Sequence, residues 1–564
     1  MHWLQHLFQA HPELAIFLAL CIGFYVGGLS IKGFSLGTVT GVLLAGMLIG
    51  QWGITISGHV EAVFFSLFLF AVGYNGGPQF FRSIKKGGLR ETFFAIVLCA
   101  TSLGVVWLIA LLMHLDKGQA AGLLAGSQTV TPAIGVATDT IERLGGIGAP
   151  EKQKMLDAIP VCYAITYIFG TAGATWLLTV LGLPLLGGAE KVKAECRLEE
   201  ERMGGNPGAG KPGVGSALAT TSFNAYRVAD GSIASGKTIR ELELEFLKHG
   251  NRLFVRRVRR DHLIYEATPG FKMQVGDIIV LNGRRQFLIS EKMLGVEVTD
   301  DELLNFPVST IKVYATKNEA TNLSLKELAL KEFMYGVIVQ SITRGGIKIP
   351  MYVEVPVQKG DYLELVGLQK DVFRAVGHIG YAEVPTNKTN MVFVGLAIVV
   401  GVLIGAFSFQ LGSFRFSFGS IGILFSGLFF GWLCVQKPFF GKIPPGVDWF
   451  MNNVGLAVFI AIAGIHSGPK FAAGIKEMGA AIFFAGVVAS ALPIFLGLLI
   501  GRFIFRIHPA YVLGCIAGTT VTTALSVVQE NIKSDLPTLG YTVAYAVNNI
   551  LMFIGTILLV TFLK

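Results

Sequence analysis

The chain is poor in charge. Only 15% of its 564 residues are Asp, Glu, Lys or Arg, while 52% are hydrophobic and the mean hydropathy is +0.60. A soluble domain carries about a quarter charged residues, so the composition requires a membrane. Cysteine is equally uninformative about cross-links: Cys21, Cys99, Cys162, Cys434 and Cys515 fall in apolar runs and Cys196 in a linker. No CxxC spacing occurs, which excludes a disulfide framework and a structural zinc site. Residues 1–13 hold no Lys or Arg and further apolar runs follow the first, which argues against a cleaved secretory signal. Acidic residues avoid the middle of apolar runs: Asp139, Glu142, Asp157, Asp448 and Glu530 lie near segment ends. The lack of a buried acidic relay favours exchange over proton or sodium coupling, with His466 the one proton site left open. The glycine-rich stretches have no following Lys-Ser or Lys-Thr and are not phosphate loops. No catalytic triad, paired acid and base or metal cluster appears. Neither enzyme activity nor a cofactor or metal is expected. The net charge of +9 belongs to cytoplasmic loops rather than to nucleic-acid binding.

What is present is a repeated series of apolar segments, near 14–30, 36–53, 60–79, 92–114, 119–137 and 157–183, then 390–410, 417–435, 450–468, 479–501, 509–528 and 536–562. Each is read as long enough to cross a hydrocarbon core of about 30 Å. Gly73-Tyr74-Asn75-Gly76-Gly77-Pro78-Gln79-Phe80-Phe81 returns as Gly464-Ile465-His466-Ser467-Gly468-Pro469-Lys470-Phe471. Phe34-Ser35-Leu36-Gly37 returns as Phe416-Ser417-Phe418-Gly419, with Gly46 and Gly50 matching Gly427 and Gly431. Ala125-Gly126-Ser127-Gln128-Thr129-Val130-Thr131-Pro132 parallels Ala517-Gly518-Thr519-Thr520-Val521-Thr522-Thr523, and Tyr163-Ala164 parallels Tyr545-Ala546. The two halves are therefore duplicates. Counting Lys and Arg in the loops favours inverted halves. Inversion requires one segment per half not to cross, and the polar, small-residue segments 119–137 and 509–528 are the re-entrant candidates. The expected fold is a polytopic α-helical membrane protein of two inverted halves, with a soluble α+β insert.

Paired breaks in duplicated halves point to a transporter's binding site. The Gly-Pro motifs, with Gly73, Gly77, Pro78, Gly464, Gly468 and Pro469, are read as hinges framing that site, although four-residue glycine spacing is also a helix-packing pattern. Substrate contacts are assigned to the hydroxyl-rich breaks at Ser127, Gln128, Thr129, Thr131 and Pro132 and at Thr519, Thr520, Thr522 and Thr523. Free N–H groups at a half-helix N-terminus suit a carboxylate. Asn75, His466 and Ser467 face whatever the motif faces. Arg82 is the candidate cation, by its capacity to grip a carboxylate with two bonds. Asn548 and Asn549, in mid-segment, pair across helices or touch substrate.

The chain divides into a membrane half over 1–185, a glycine-rich linker over 186–221, an insert and a second membrane half over 389–564. The insert is itself duplicated, 222–297 and 298–388. Thr238-Ile239-Arg240-Glu241-Leu242 resembles Ser324-Leu325-Lys326-Glu327-Leu328, and Gly276-Asp277 matches Gly360-Asp361. Each copy reads as a short helix, then strands, with a Gly-Asp turn before the last. Arg256, Arg257, Arg259 and Arg260 read as a basic patch.

With these residues in view, the chain resembles the aspartate–alanine exchanger family of bacterial secondary transporters over essentially its whole length. The resemblance implies two homologous halves around two domains of the TrkA C-terminal type. It also implies antiport of aspartate for alanine, or movement of a dicarboxylate such as succinate, across the bacterial inner membrane. A homodimer is implied too, with small carboxylates and lipid as partners and a small regulatory ligand at the insert. A potassium-channel reading would need a carbonyl-lined filter such as Thr-Val-Gly-Tyr-Gly, and none occurs. A sensor without transport would leave the duplicated breaks unexplained.

Overall fold

Apolar stretches become helices, because in lipid only intrasegment hydrogen bonds satisfy the backbone. The computed structural model describes residues 2–31, 34–35, 37–85, 89–203, 221–248, 253–284, 295–344, 347–382, 389–411, 414–436 and 443–563. It forms two units, one of residues 1–196 with 385–564 and one of 197–384.

In the first unit, α1 (His2–Ala10), α2 (Pro12–Gly28), α3 (Thr38–Gly50), α4 (Gly58–Lys85) and α5 (Leu89–Leu112) lead to α6 (Lys117–Ser127) and α7 (Ala133–Arg143). Next comes α8 (Ala149–Ile168), which continues through π-turns to Leu185. The second half repeats the order as α9 (Met391–Ala406), α10 (Ile421–Gln436), α11 (Gly455–Leu499), α12 (Pro509–Thr519), α13 (Thr522–Ile532) and α14 (Pro537–Phe562). Short antiparallel hairpins join α2 to α3 and α9 to α10.

Among the described residues, six helical stretches are long and apolar enough to span a membrane: 58–78, 90–112, 149–185, 445–476, 479–504 and 537–562. The other segments correct the sequence reading. At 13 and 16 residues, α3 and α10 extend about 20 and 24 Å at 1.5 Å per residue, short of the core. The segments read at 450–468 and 479–501 stand as two candidate spans, 445–476 and 479–504, joined by continuous helix in α11 rather than by a loop. Nothing in Phe471–Met478 resembles a helix stop except Gly474, and Ala, Lys, Glu and Met are strong helix formers.

The Gly-Pro motifs are not breaks either. Pro78 lies inside α4 and Pro469 inside α11. The reason lies in the opposite half. α4 packs on α10, and α11 packs on α3. A methyl group added at Gly73 or Gly77 would land on the carbonyl of Leu424 or Leu428. One added at Gly464 or Gly468 would land on that of Leu43 or Met47. These contacts correspond under the repeat, so the crossings are reciprocal. Proline removes the N–H that would bond the carbonyl four residues back, Tyr74 for Pro78 and Ile465 for Pro469. Gly431 packs on the Tyr74 carbonyl and Gly50 on that of Ile465. The partner glycine thus covers the carbonyl that proline strips of its helical bond.

The second unit holds two five-stranded antiparallel sheets of identical order. In the first the strands run 263–266, 254–260, 278–284, 221–228, 295–298; in the second, 347–349, 337–344, 362–368, 308–315, 380–382. Each copy has a strand ahead of its helix that the sequence reading did not include. In both, a glycine with φ of 94°, Gly276 or Gly360, precedes an aspartate. Asp277 accepts from Arg260 and the Gln274 N–H, Asp361 from Arg344 and the Gln358 N–H.

The basic patch expected over 256–260 does not form. Arg256 pairs with Asp371, Arg257 with Glu266, Arg259 with Asp300 and Glu302, and Arg260 with Asp277. Strand periodicity showed which faces these side chains take but not the carboxylates supplied by distant loops.

Candidate functional site

Two helices stop and restart in the membrane unit. After α6, Gln128 to Pro132 form a turn before α7, and after α12 a two-residue break precedes α13. Thr129 has a φ of 52°. For a β-branched residue that conformation costs about 1–3 kcal/mol and persists only where its surroundings enforce it. The enforcement is visible: the Thr129 hydroxyl donates to the Thr520 carbonyl, tying one break to the other. Thr131 Oγ1 lies 2.8 Å from the hydroxyl of buried Tyr163. Gln128 Nε2 donates to the Ala489 carbonyl at 2.8 Å, and Ser490 Oγ to the Ser127 carbonyl at 2.9 Å, fixing the first break against α11.

A cavity of about 760 Å³ opens between the breaks. Its wall includes Gln128, Thr129, Thr131 and Pro132 from the first break and Thr520 and Val521 from the second. Asn548 and Asn549 of α14 line it, as do Tyr167, Thr171, Thr175 and Thr179 along α8 and its continuation. No Asp, Glu, Lys or Arg lines it among the described residues. Both α7 and α13 begin at this wall. Their N-cap residues, Pro132 and Val521, provide no side-chain cap; the N–H groups of Ala133, Ile134 and Ala524 turn back to the carbonyls of Val130, Thr131 and Val521, so what each helix start offers the cavity is the positive end of its dipole.

The remaining sequence candidates divide. Ser127 and Thr519 are buried beside the breaks, and their hydroxyls return to the carbonyls of Leu124 and Ile516. Neither lines the cavity. Ser467 likewise donates to the Ala463 carbonyl at 2.9 Å. Asn75 donates to Asp448 at 2.8 Å, and Asp448 also accepts from Asn452, which reaches the cavity wall. His466 accepts the Ile56 N–H on Nε2 at 3.2 Å, which leaves the ring proton on Nδ1, 4.0 Å from Glu61. The side chains of Arg82, Thr522 and Thr523 lie outside the described residues. Lys470 forms an ion pair with buried Asp157 rather than facing the cavity. The sequence reading missed Tyr167, Asn452 and the row Thr171, Thr175, Thr179, although hydroxyls at i, i+4 and i+8 in an apolar run were a legible signal of a polar helix face.

Six membrane-length helices and a polar cavity between duplicated halves define a multi-pass membrane protein. A family model described as a predicted permease membrane region matches twice, over residues 15–183 and 393–561. The chain belongs to that family, in agreement with its likeness to the aspartate–alanine exchangers. It is 40% identical to an uncharacterized transporter of Shewanella oneidensis over the full length of both chains. It is 35% identical to one of Bradyrhizobium diazoefficiens, covering 92% of this chain and 99% of that one, and 31% identical to one of Zymomonas mobilis, covering 100% and 99%. No solved structure matches. The protein is a transporter of the bacterial inner membrane.

Proposed function

We propose that the protein is a secondary antiporter that exchanges aspartate for a smaller amino acid such as alanine. The observation that carries this reading is the pair of uncapped helix N-termini, from repeat-related breaks, at one cavity. Each turns the positive end of a helix dipole toward the cavity, which favours a carboxylate there by about 0.3–2 kcal/mol. Two seats match the two carboxylates of aspartate, and one suffices for alanine. No Asp or Glu among the described lining residues supplies a buried proton relay, which supports exchange of one solute for another. The same two seats would also take a dicarboxylate such as succinate.

In this reading the halves are inverted, α6–α7 and α12–α13 are re-entrant, and the insert domains are of the TrkA C-terminal type. Helices of 11 residues reach about 16 Å, roughly half a hydrocarbon core, which suits helices that enter and return. In a cysteine-free background, Gly145→Cys and Lys533→Cys should react with impermeant maleimide from opposite sides; labelling from one side would make the halves parallel.

Exchange is tested with the reconstituted full chain. Vesicles loaded with alanine should accumulate labelled aspartate, and empty vesicles should not. Uptake indifferent to internal amino acid would refute antiport.

A further inference from the structure

Gln128 is fully buried at the cavity wall. Its amide orientation follows from chemistry, since the Ala489 carbonyl requires a donor, so nitrogen faces α11. Oxygen Oε1 then remains, buried and with no hydrogen-bond partner. Such an acceptor costs about 1–3 kcal/mol unless a ligand satisfies it. The neighbouring hydroxyls cannot do so without breaking other bonds. Thr171 donates to the Tyr167 carbonyl at 2.9 Å, Thr175 to that of Thr171 at 2.9 Å, and Thr179 to that of Trp176 at 2.9 Å. Their oxygens are left with lone pairs only. The cavity therefore has positive dipole ends where α7 and α13 begin and acceptors at Gln128 and along the threonine row.

We infer that Gln128 Oε1 accepts the α-ammonium group of the substrate, making Gln128 the residue that separates amino acids from acids lacking the amino group. The inference rests on the carboxylate reading for orientation only: carboxylates on the helix starts leave the ammonium for the acceptors. Succinate would fill both carboxylate seats and leave Oε1 unpaired. A site built for a bonded group discriminates strongly against the analogue without it.

The test compares aspartate with succinate in counterflow by the reconstituted full chain, in sodium-free buffer. The wild type should prefer aspartate by about 10-fold or more, the worth of one charged hydrogen bond. Gln128→Met should lower aspartate uptake about 10-fold more than succinate uptake. Equal losses for both solutes in Gln128→Met would reduce Gln128 to a structural residue and overturn the inference. A preference that appears only when sodium is added would assign Oε1 to that ion and overturn it as well. Thermal unfolding in detergent is the second readout. Amino acids should raise the midpoint of the wild type and not of Gln128→Met; stabilisation by amine-free acids alone would refute the role. If aspartate is neither exchanged nor bound, the antiport reading fails, while the same melting assay with alanine against propionate still decides Gln128.

Discussion

Gly431 lies against the carbonyl oxygen of Tyr74, the acceptor that Pro78 cannot bond within its own helix. Its counterpart Gly50 lies against Ile465 in front of Pro469. A Cβ at either position would collide with backbone, which cannot rotate away. Gly431→Ala and Gly50→Ala should each destabilise the protein by about 1–3 kcal/mol, the usual cost of overpacking. Gly104→Ala and Gly395→Ala, where a methyl meets nothing, should leave the midpoint nearly unchanged. Thermal unfolding of the four purified variants checks the contrast.

The bond from the Thr129 hydroxyl to the Thr520 carbonyl holds the two helix starts in one arrangement. Thr129→Val keeps the shape and the strained backbone but removes the donor. It should weaken the half-saturating aspartate concentration about 10-fold, in line with one lost hydrogen bond. Thr129→Ser should behave as the wild type. Counterflow titrations of both variants measure the difference.

In the insert, Asp361 and Arg344 are both buried, whereas Arg260, opposite Asp277, is partly exposed. Removing one partner of a buried pair strands the other charge, at about 3–5 kcal/mol. Asp361→Asn should therefore destabilise the insert more than Asp277→Asn. Limited proteolysis should cut the second copy first in Asp361→Asn, and equal susceptibility would contradict the burial argument.

The helix of the second copy starts in a capping box, Ser324 with Glu327. Glu327 is held below the ordinary value of 4.5, first by the Ser324 backbone N–H and then by its side chain. Its folded pKa is lower than its unfolded one, so its stabilising contribution is present above pH 4.5 and is lost as pH falls through the folded value. Glu241, bonded to the Thr238 backbone and then its hydroxyl, is shifted the same way. Glu327→Gln should shrink the drop in insert stability on acidification from pH 6 toward pH 3, read as the change in unfolding midpoint between the two pH values.

Much of this was legible because it is local. The capping boxes stand in the sequence as Thr-x-x-Glu and Ser-x-x-Glu, and the breaks announce themselves as hydroxyl runs with Pro132 in an apolar segment. What could not be read depends on a distant partner. Pro78 looks like a break until Gly431 is seen covering the Tyr74 carbonyl. The four arginines over 256–260 look like a patch until Asp371, Asp300 and Asp277 arrive from elsewhere in the fold. The polar row on α8 was missed for another reason. Three threonines in a hydrophobic run lower its polarity contrast too little to stand out beside the richer signals at 127–132 and 519–523.

The reciprocal crossings make each half dependent on the other. The glycine face of α3 is taken by α11 and that of α10 by α4, so neither half holds the mate for its own. One half alone would leave both of its faces uncovered, and the two halves are bound into a single folding unit although equivalent positions differ between them, as Asn75 and His466 do.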